Sequence, residues 1–158
     1  MTMNNRSGQI FSHIASALAV ALILASATVV AVRTEISYDE GYHLQIPLSL
    51  VTHGQYASTR DGGGVFDPYV SPGPTVMLPV AASFSLFGTG LVQARVMVLI
   101  YFAAFLALVW PVSRRLYGGL APPLAIVVSA CAPSEFTHVA TVLVEIPPIA
   151  FLSCAMLA

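Results

Sequence analysis

The feature that most constrains this chain is a run of about 23 residues, 10–32, that carries no formal charge. As a helix rising 1.5 Å per residue, the run is long enough to cross a hydrocarbon core of roughly 30 Å. A cleaved signal peptide is the alternative, but its apolar region typically has only about 7–15 residues. The sequence therefore favours an uncleaved membrane-spanning helix.

Charged residues are too rare for a protein surrounded by water. The chain is 57% hydrophobic and 8% charged, its six basic residues are all arginine, and it has no lysine. Such a composition does not supply a normal charged surface, so we expect an integral membrane protein in contact with membrane lipids. The arginines form no basic patch of the kind that nucleic acid requires, and nucleic acid is not expected as a partner.

Three further apolar segments follow the first. We expect residues 91–112 to be a second spanning helix, 119–133 a third, and 145–158 a fourth that the chain cuts short. Residues 75–87 contain Pro79 and are too few to cross, which favours an interfacial or re-entrant helix. The predicted fold is an all-α integral membrane bundle with about four spanning helices and a loop at 33–90 that contains short interfacial helices.

The arginines predict the orientation. Cytoplasmic flanks of spanning helices are enriched in basic residues, which assigns Arg6, Arg114 and Arg115 to the cytoplasm. Both assignments hold if residues 75–87 do not cross the bilayer. We therefore expect a plasma membrane protein with a cytoplasmic N-terminus and the 33–90 loop outside. The same topology places all seven acids outside: Glu35, Asp39, Glu40, Asp61, Asp67, Glu135 and Glu145.

The adjacent acids Asp39 and Glu40 are the first candidates for chemistry. Two neighbouring carboxylates can have different roles. One accepts a proton from a hydroxyl, while the other orients the first carboxylate or holds a divalent cation. The structural alternative is a helix start, with Asp39 as the N-cap and Glu40 in the first turn. The sequence indicates no definite cofactor beyond such a cation, and the histidines lack the spacing of a zinc site.

Four other residues stand out. Glu145 is a lone carboxylate among apolar neighbours, which favours a functional role, although Pro147 also allows a position at a helix N-terminus. Arg95 and Arg60 could each bind a phosphate, and Arg95 could instead extend to lipid headgroups. Tyr42 belongs to a group of aromatic residues that either anchor the chain at the interface or stack on a sugar.

The order of many short motifs resembles the N-terminal part of GT-C glycosyltransferases. The likeness is to the dolichyl-phosphate-mannose protein mannosyltransferase-like group, family 39, which includes the aminoarabinose transferase of lipid A. It covers almost the whole chain from about residue 10. The motifs are Asp39-Glu40-Gly41-Tyr42, Gly54-Gln55-Tyr56-Ala57, Gly73-Pro74, Leu78-Pro79, Leu86-Phe87-Gly88, Ala94-Arg95, Arg114-Arg115-Leu116-Tyr117-Gly118 and Glu145-Ile146-Pro147.

The resemblance implies roles for particular residues. Asp39 matches the family's catalytic or acceptor-activating aspartate, with Glu40 beside it, and Arg95 matches an arginine that follows the short apolar segment. Glu145 matches a second acid that is usually an aspartate. Many relatives also have a lysine for the lipid phosphate, whereas this sequence has none. Family members are several times longer, so the resemblance implies that this chain is the N-terminal part of one larger domain.

The expected function is transfer of a sugar from a polyprenyl-phosphate donor to a lipid or protein acceptor on the outer face. Asp39, Glu40 and Glu145 are the predicted catalytic residues, and Arg95, Arg60 and Tyr42 are the predicted substrate-binding residues. The alternative is a non-catalytic membrane protein, such as a transporter or an assembly subunit, whose outer acids bind cations or a partner.

Overall fold

A computed structural model of the chain describes residues 4–58 and 73–130, and for residues 4 and 5 only the backbone. These two ranges form helices and contain no strand, which confirms the all-α class. The helices are α1 (Asn4–Arg33), α2 (Tyr38–His43), α3 (Gln45–His53), α4 (Pro74–Phe87), α5 (Leu91–Tyr117) and α6 (Ala121–Ala130).

Helices α1 and α5 are both long and apolar enough to cross a membrane, as the sequence predicts for residues 10–32 and 91–112. Both extend beyond the predicted bounds. α5 continues to Tyr117 because the residues after Val112 lack a helix breaker, and it ends where Gly118 adopts a positive φ of 65°. Only 17% of the apolar window of α1 and 22% of that of α5 are buried, so the described part of the chain leaves most of both helices exposed.

The two long helices run antiparallel. At one end Arg95 of α5 donates a hydrogen bond to the carbonyl oxygen of Ala31 in α1. At the other end the ring centroid of His13 in α1 lies 4.8 Å from the ring centroid of Trp110 in α5. We call these the Arg95 end and the His13 end. About 22 Å of α-helix separate Arg95 from Trp110, close to the thickness of a hydrocarbon core.

Small residues face inward along α1 and large ones face outward. The buried positions include Ser12, Ser16, Ala27 and Ala31, which recur at helical spacing. Small side chains allow helix backbones to approach closely, as is common between membrane helices. The outward face carries Ile10, Phe11, Ile14, Leu18, Leu22, Val29 and Val32, each more than half exposed. This pattern suits a helix whose outer face contacts lipid.

Helix α4 packs against the first half of α5 and is continuous through Pro79, which therefore does not interrupt it. A proline lacks the amide hydrogen that would bond the carbonyl four residues earlier, here that of Thr75. The hydroxyl of Tyr101 in α5 donates to this oxygen instead, at 2.5 Å. Tyr101 thus satisfies the acceptor that the proline leaves without its helical partner.

The 14 residues of α4 would extend about 21 Å, less than a hydrocarbon core. α3 packs on α4, while α6 packs on both long helices after a short turn. Ile46, Met77, Phe102 and Ile126 lie in the shared core. The ten residues of α6 cover part of the predicted third span, and the predicted fourth span, 145–158, lies outside the described residues. The four-span count and the GT-C arrangement remain predictions.

Candidate functional site at the Arg95 end

Ser37 fixes the start of α2. It has extended backbone angles, and its hydroxyl oxygen accepts a hydrogen bond of 3.2 Å from the amide of Glu40. This is the N-cap arrangement, in which a side chain satisfies one of the amides that a helix start leaves unpaired. The alternative interpretation of Asp39 as the N-cap is therefore wrong, because Asp39 and Glu40 both lie in the first turn that Ser37 caps.

Glu40 forms a buried ion pair with Arg95. The Nε atom of Arg95 donates to Oε1 of Glu40 at 2.8 Å, and its Nη2 atom donates to Oε2 at 2.6 Å. Glu40 is 0% and Arg95 2% exposed. Bidentate, charge-assisted pairs of this kind are the most directional contacts that arginine makes. The pair fixes the first turn of α2 against the beginning of α5.

The remaining hydrogens of Arg95 bond the last turn of α1 and the two residues that directly follow it. Nη1 donates to the carbonyl oxygens of Ala31 and Thr34, at 2.5 and 2.7 Å, and Nη2 also donates to that of Glu35, at 3.2 Å. A helix leaves its last carbonyl groups unpaired, and a cation there also opposes the negative end of the helix dipole. With the two bonds to Glu40, all five donors of the guanidinium are used. A phosphate would have to displace one of these bonds to reach Arg95.

Asp39, by contrast, points away from the ion pair. It precedes Glu40 in the same helical turn, so its side chain leaves the helix about 100° away, and it is exposed. Among the described residues, no hydrogen bond or ion pair holds its carboxylate. The structure therefore gives the two neighbouring acids different environments, with one buried in an ion pair and the other accessible to a molecule at this end.

A cleft of about 360 Å³ lies beside this turn, lined by Ile36, Ser37, Tyr38, Gly41, Tyr42 and Gln45. The side-chain oxygen Oε1 of Gln45 is buried and has no hydrogen-bond partner among the described residues. A buried acceptor without a partner costs about 1–3 kcal/mol, so a donor from water or a bound molecule would be favoured there. Tyr42 supplies an aromatic face in the same cleft.

The described tyrosines of the 33–90 loop, Tyr38, Tyr42 and Tyr56, lie in different environments. Tyr42 and Tyr38 both line the cleft, and Tyr38 is 76% exposed. Tyr56 instead packs against the core after α3 ends at Gly54, whose φ of 69° is typical of a helix C-terminus. Burial raises the pKa of the Tyr56 phenol above its ordinary value of 10.0, which keeps that group protonated at neutral pH.

Other predicted site residues lie elsewhere. Arg60 and Glu145 fall outside the described residues, so their predicted roles stay predictions. Within 4–58 and 73–130, no group of three His, Cys, Asp or Glu side chains could hold a metal ion. The predicted residues that the structure brings close together are Asp39, Glu40, Tyr42 and Arg95.

The sequence analysis did not identify two residues of this site, Ser37 and Gln45. Ser37 could have been found, because Ser37-Tyr38-Asp39-Glu40 matches the Ser-x-x-Glu pattern of a capped helix start. In the usual form of that motif the glutamate bonds back to the serine amide, whereas here Glu40 bonds Arg95. No pattern in the residues around Gln45 indicates that it lines a cleft, because its position there depends on how α2 joins α3.

Comparison with protein-family models, with curated proteins and with solved structures finds no match to this chain. The resemblance to GT-C glycosyltransferases therefore rests on the motifs in the sequence.

Proposed function

We propose that the chain is part of a GT-C type glycosyltransferase that moves a sugar from a polyprenyl-phosphate donor to a lipid or protein acceptor. The observation that carries the proposal is the contrast between two adjacent acids. Glu40 is buried in an ion pair with Arg95, which anchors the first turn of α2, whereas the carboxylate of Asp39 in the same turn is exposed at the end of two apolar helices. An accessible carboxylate in a helical turn whose backbone is anchored by a buried ion pair suits a general base.

Asp39 accepts the proton of the acceptor hydroxyl in this proposal. The acceptor oxygen forms a bond to the anomeric carbon of the sugar as the bond from that carbon to the phosphate oxygen breaks. The bonding electron pair leaves with the polyprenyl phosphate, and the anomeric configuration inverts. Tyr42 stacks on a sugar ring in the adjacent cleft, where Gln45 accepts a hydrogen bond from a hydroxyl.

Arg95 positions the site in this scheme and does not bind the leaving phosphate, because its five donors are engaged with Glu40 and the end of α1. Glu40 has the matching role, since its buried carboxylate holds Arg95. The phosphate contact is assigned to Arg60, and the second acid to Glu145, as the sequence predicts.

The proposed location is the plasma membrane, with the N-terminus in the cytoplasm and the Arg95 end outside. Two observations support it. α1 and α5 expose apolar faces along a length close to that of a hydrocarbon core. Arg114 and Arg115 lie in the last turn of α5, toward the His13 end, where the positive-inside rule expects a cytoplasmic flank.

The test is sugar transfer by membranes that carry the protein, using a radiolabelled polyprenyl-phosphate sugar. Asp39→Asn removes the base with little change in shape, and we expect a fall in kcat of about 10²-fold or more. Glu35→Gln is the matched control, because Glu35 is also an exposed acid near the end of α1. Transfer by Asp39→Asn at the wild-type rate would refute the catalytic role of Asp39. Absence of transfer by the folded wild-type protein would favour the non-catalytic alternative.

A further inference from the structure

The His13 end contains a second cavity that the proposed reaction does not use. It has a volume of about 440 Å³ and lies where α1, the end of α5 and the turn before α6 meet. Its lining includes Gln9, Ser12, His13, Trp110 and Arg114. About 22 Å of helix separate it from Arg95, so it is remote from Asp39.

Arg114 is the cationic centre of this cavity. Its guanidinium carbon lies 4.9 Å from the centre of the Trp110 ring, and Nη1 donates to Nε2 of His13 at 3.1 Å. Since a guanidinium only donates, Nε2 of His13 is the acceptor here. Among the described residues, no other hydrogen bond holds this side chain, and the remaining donors of its planar fork match a phosphate. Gln9 and Ser12 add neutral donors nearby.

The charge around the cavity favours an anion. Arg6, Arg114 and Arg115 all belong to this end of the helix pair. The acids of the described ranges, Glu35, Asp39 and Glu40, lie at the opposite end. A phosphate bound by Arg114 therefore meets no carboxylate of the described part of the chain.

An apolar groove continues from the cavity along the helices. It has a volume of about 670 Å³, shares His13 and Trp110 with the cavity, and extends past Val20 to Leu24 between α1, α5 and α6. The helix between His13 and Leu24 is about 16 Å long, close to half of a hydrocarbon core. A cationic cavity that opens into an apolar groove of this length has the shape of one phospholipid in a single leaflet.

We propose that this cavity and groove bind one anionic membrane phospholipid, with its phosphate on Arg114 and one acyl chain between α1, α5 and α6. Trp110 lies where headgroup and chain meet, a depth at which tryptophan is enriched in membrane proteins. The inference does not rest on the proposed transfer reaction, because it concerns the opposite end of the helices.

Trp110 is the only tryptophan of the chain and reports directly on this site. The chain is reconstituted in phosphatidylcholine vesicles that contain either brominated phosphatidylglycerol or brominated phosphatidylcholine at the same mole fraction. Bromine quenches the fluorescence of a tryptophan that it contacts. We expect stronger quenching by the brominated phosphatidylglycerol, since that lipid accumulates at Trp110.

Arg114→Gln should reduce this preference about tenfold, as expected for loss of charged hydrogen bonds. Arg115→Gln is the matched control, because it removes the same charge one residue away and Arg115 does not line the cavity. Arg114→Lys keeps the charge without the planar fork and should retain part of the preference. Quenching by brominated phosphatidylcholine should stay at the wild-type level in each variant, which verifies insertion.

Three results would overturn the proposal. Equal quenching by the two lipids would show that the site has no preference for an anionic lipid. An equal loss of preference in Arg114→Gln and Arg115→Gln would indicate diffuse surface charge without a lipid site. The third is displacement by inorganic phosphate: if millimolar phosphate abolishes the lipid preference of the wild-type chain, the site binds the free ion. Persistence of the preference in phosphate buffer supports the lipid.

Discussion

Glu40 and Arg95 are 55 residues apart in the chain and form a bidentate ion pair that is almost completely buried. Through Arg95 the pair also bonds one carbonyl group in the last turn of α1 and two in the residues that directly follow it. One side chain thus joins α1, α2 and α5 at a single point. Asp39 lies on the exposed side of that point, so its position depends on the pair.

Removing one partner of this pair should be strongly destabilising. Glu40→Gln leaves the Arg95 guanidinium buried without its negative partner. Arg95→Met leaves the Glu40 carboxylate buried without its positive partner. We expect each to lower the free energy of unfolding by about 3–5 kcal/mol, the range for breaking a buried ion pair. The measurement is unfolding in mixed micelles with an increasing fraction of sodium dodecyl sulfate.

The double variant Glu40→Gln with Arg95→Met should lose less than the sum of the two single losses, because neither charge is then buried alone. Glu35→Gln provides the control and should change stability by less than about 0.5 kcal/mol, since its side chain is exposed. Strictly additive losses would show that the two side chains do not stabilise each other.

The apolar runs predicted α1 and α5 because their signal is local: many consecutive residues are apolar, and each run is long enough for a spanning helix. The different environments of Asp39 and Glu40 could not be predicted in the same way. Neighbouring residues of a helix point about 100° apart, and which of them is buried depends on where Arg95 lies. Nothing in the residues near Arg95 identifies a partner 55 positions away.

The hydroxyl of Tyr101 should stabilise α4 more than a partly exposed hydroxyl usually stabilises a helix. Its bond to the carbonyl oxygen of Thr75 replaces the one that Pro79 cannot make. We expect Tyr101→Phe to lower the free energy of unfolding by about 1 kcal/mol. The same micelle unfolding experiment measures this loss.

Pro79→Ala gives a matched background for that test, because alanine restores the amide that can bond Thr75. In this background Tyr101→Phe should cost clearly less than in the wild-type chain. An unchanged cost would mean that the tyrosine contributes through packing alone, and the proline and the hydroxyl would then be independent.

Gln45 should affect stability and function in opposite directions. Its buried Oε1 atom has no partner among the described residues, so Gln45→Leu should raise the free energy of unfolding of the ligand-free chain by about 1–3 kcal/mol. If the cleft binds a substrate hydroxyl as proposed, the same variant should increase the KM for one of the two substrates in the transfer assay. Gln55→Leu is the control, because Gln55 is exposed and does not line the cleft.

A Gln45→Leu protein with higher stability and unchanged KM for both substrates would mean that the cleft does not bind them. The catalytic role of Asp39 would still stand in that case, because the Asp39→Asn variant tests it separately.

The antiparallel arrangement of α1 and α5 makes the orientation testable from two short turns. Thr89 lies in the turn between α4 and α5, near the Arg95 end, and Leu120 lies in the turn before α6, at the His13 end. In a background with Cys131 and Cys154 replaced by serine, Thr89→Cys should react with a membrane-impermeant maleimide on intact cells. Leu120→Cys should react only after permeabilisation, because about 22 Å of apolar helix separate the Arg95 end from the His13 end. Labelling of Leu120→Cys on intact cells, with Thr89→Cys protected, would reverse the proposed orientation and move Asp39 to the cytoplasm.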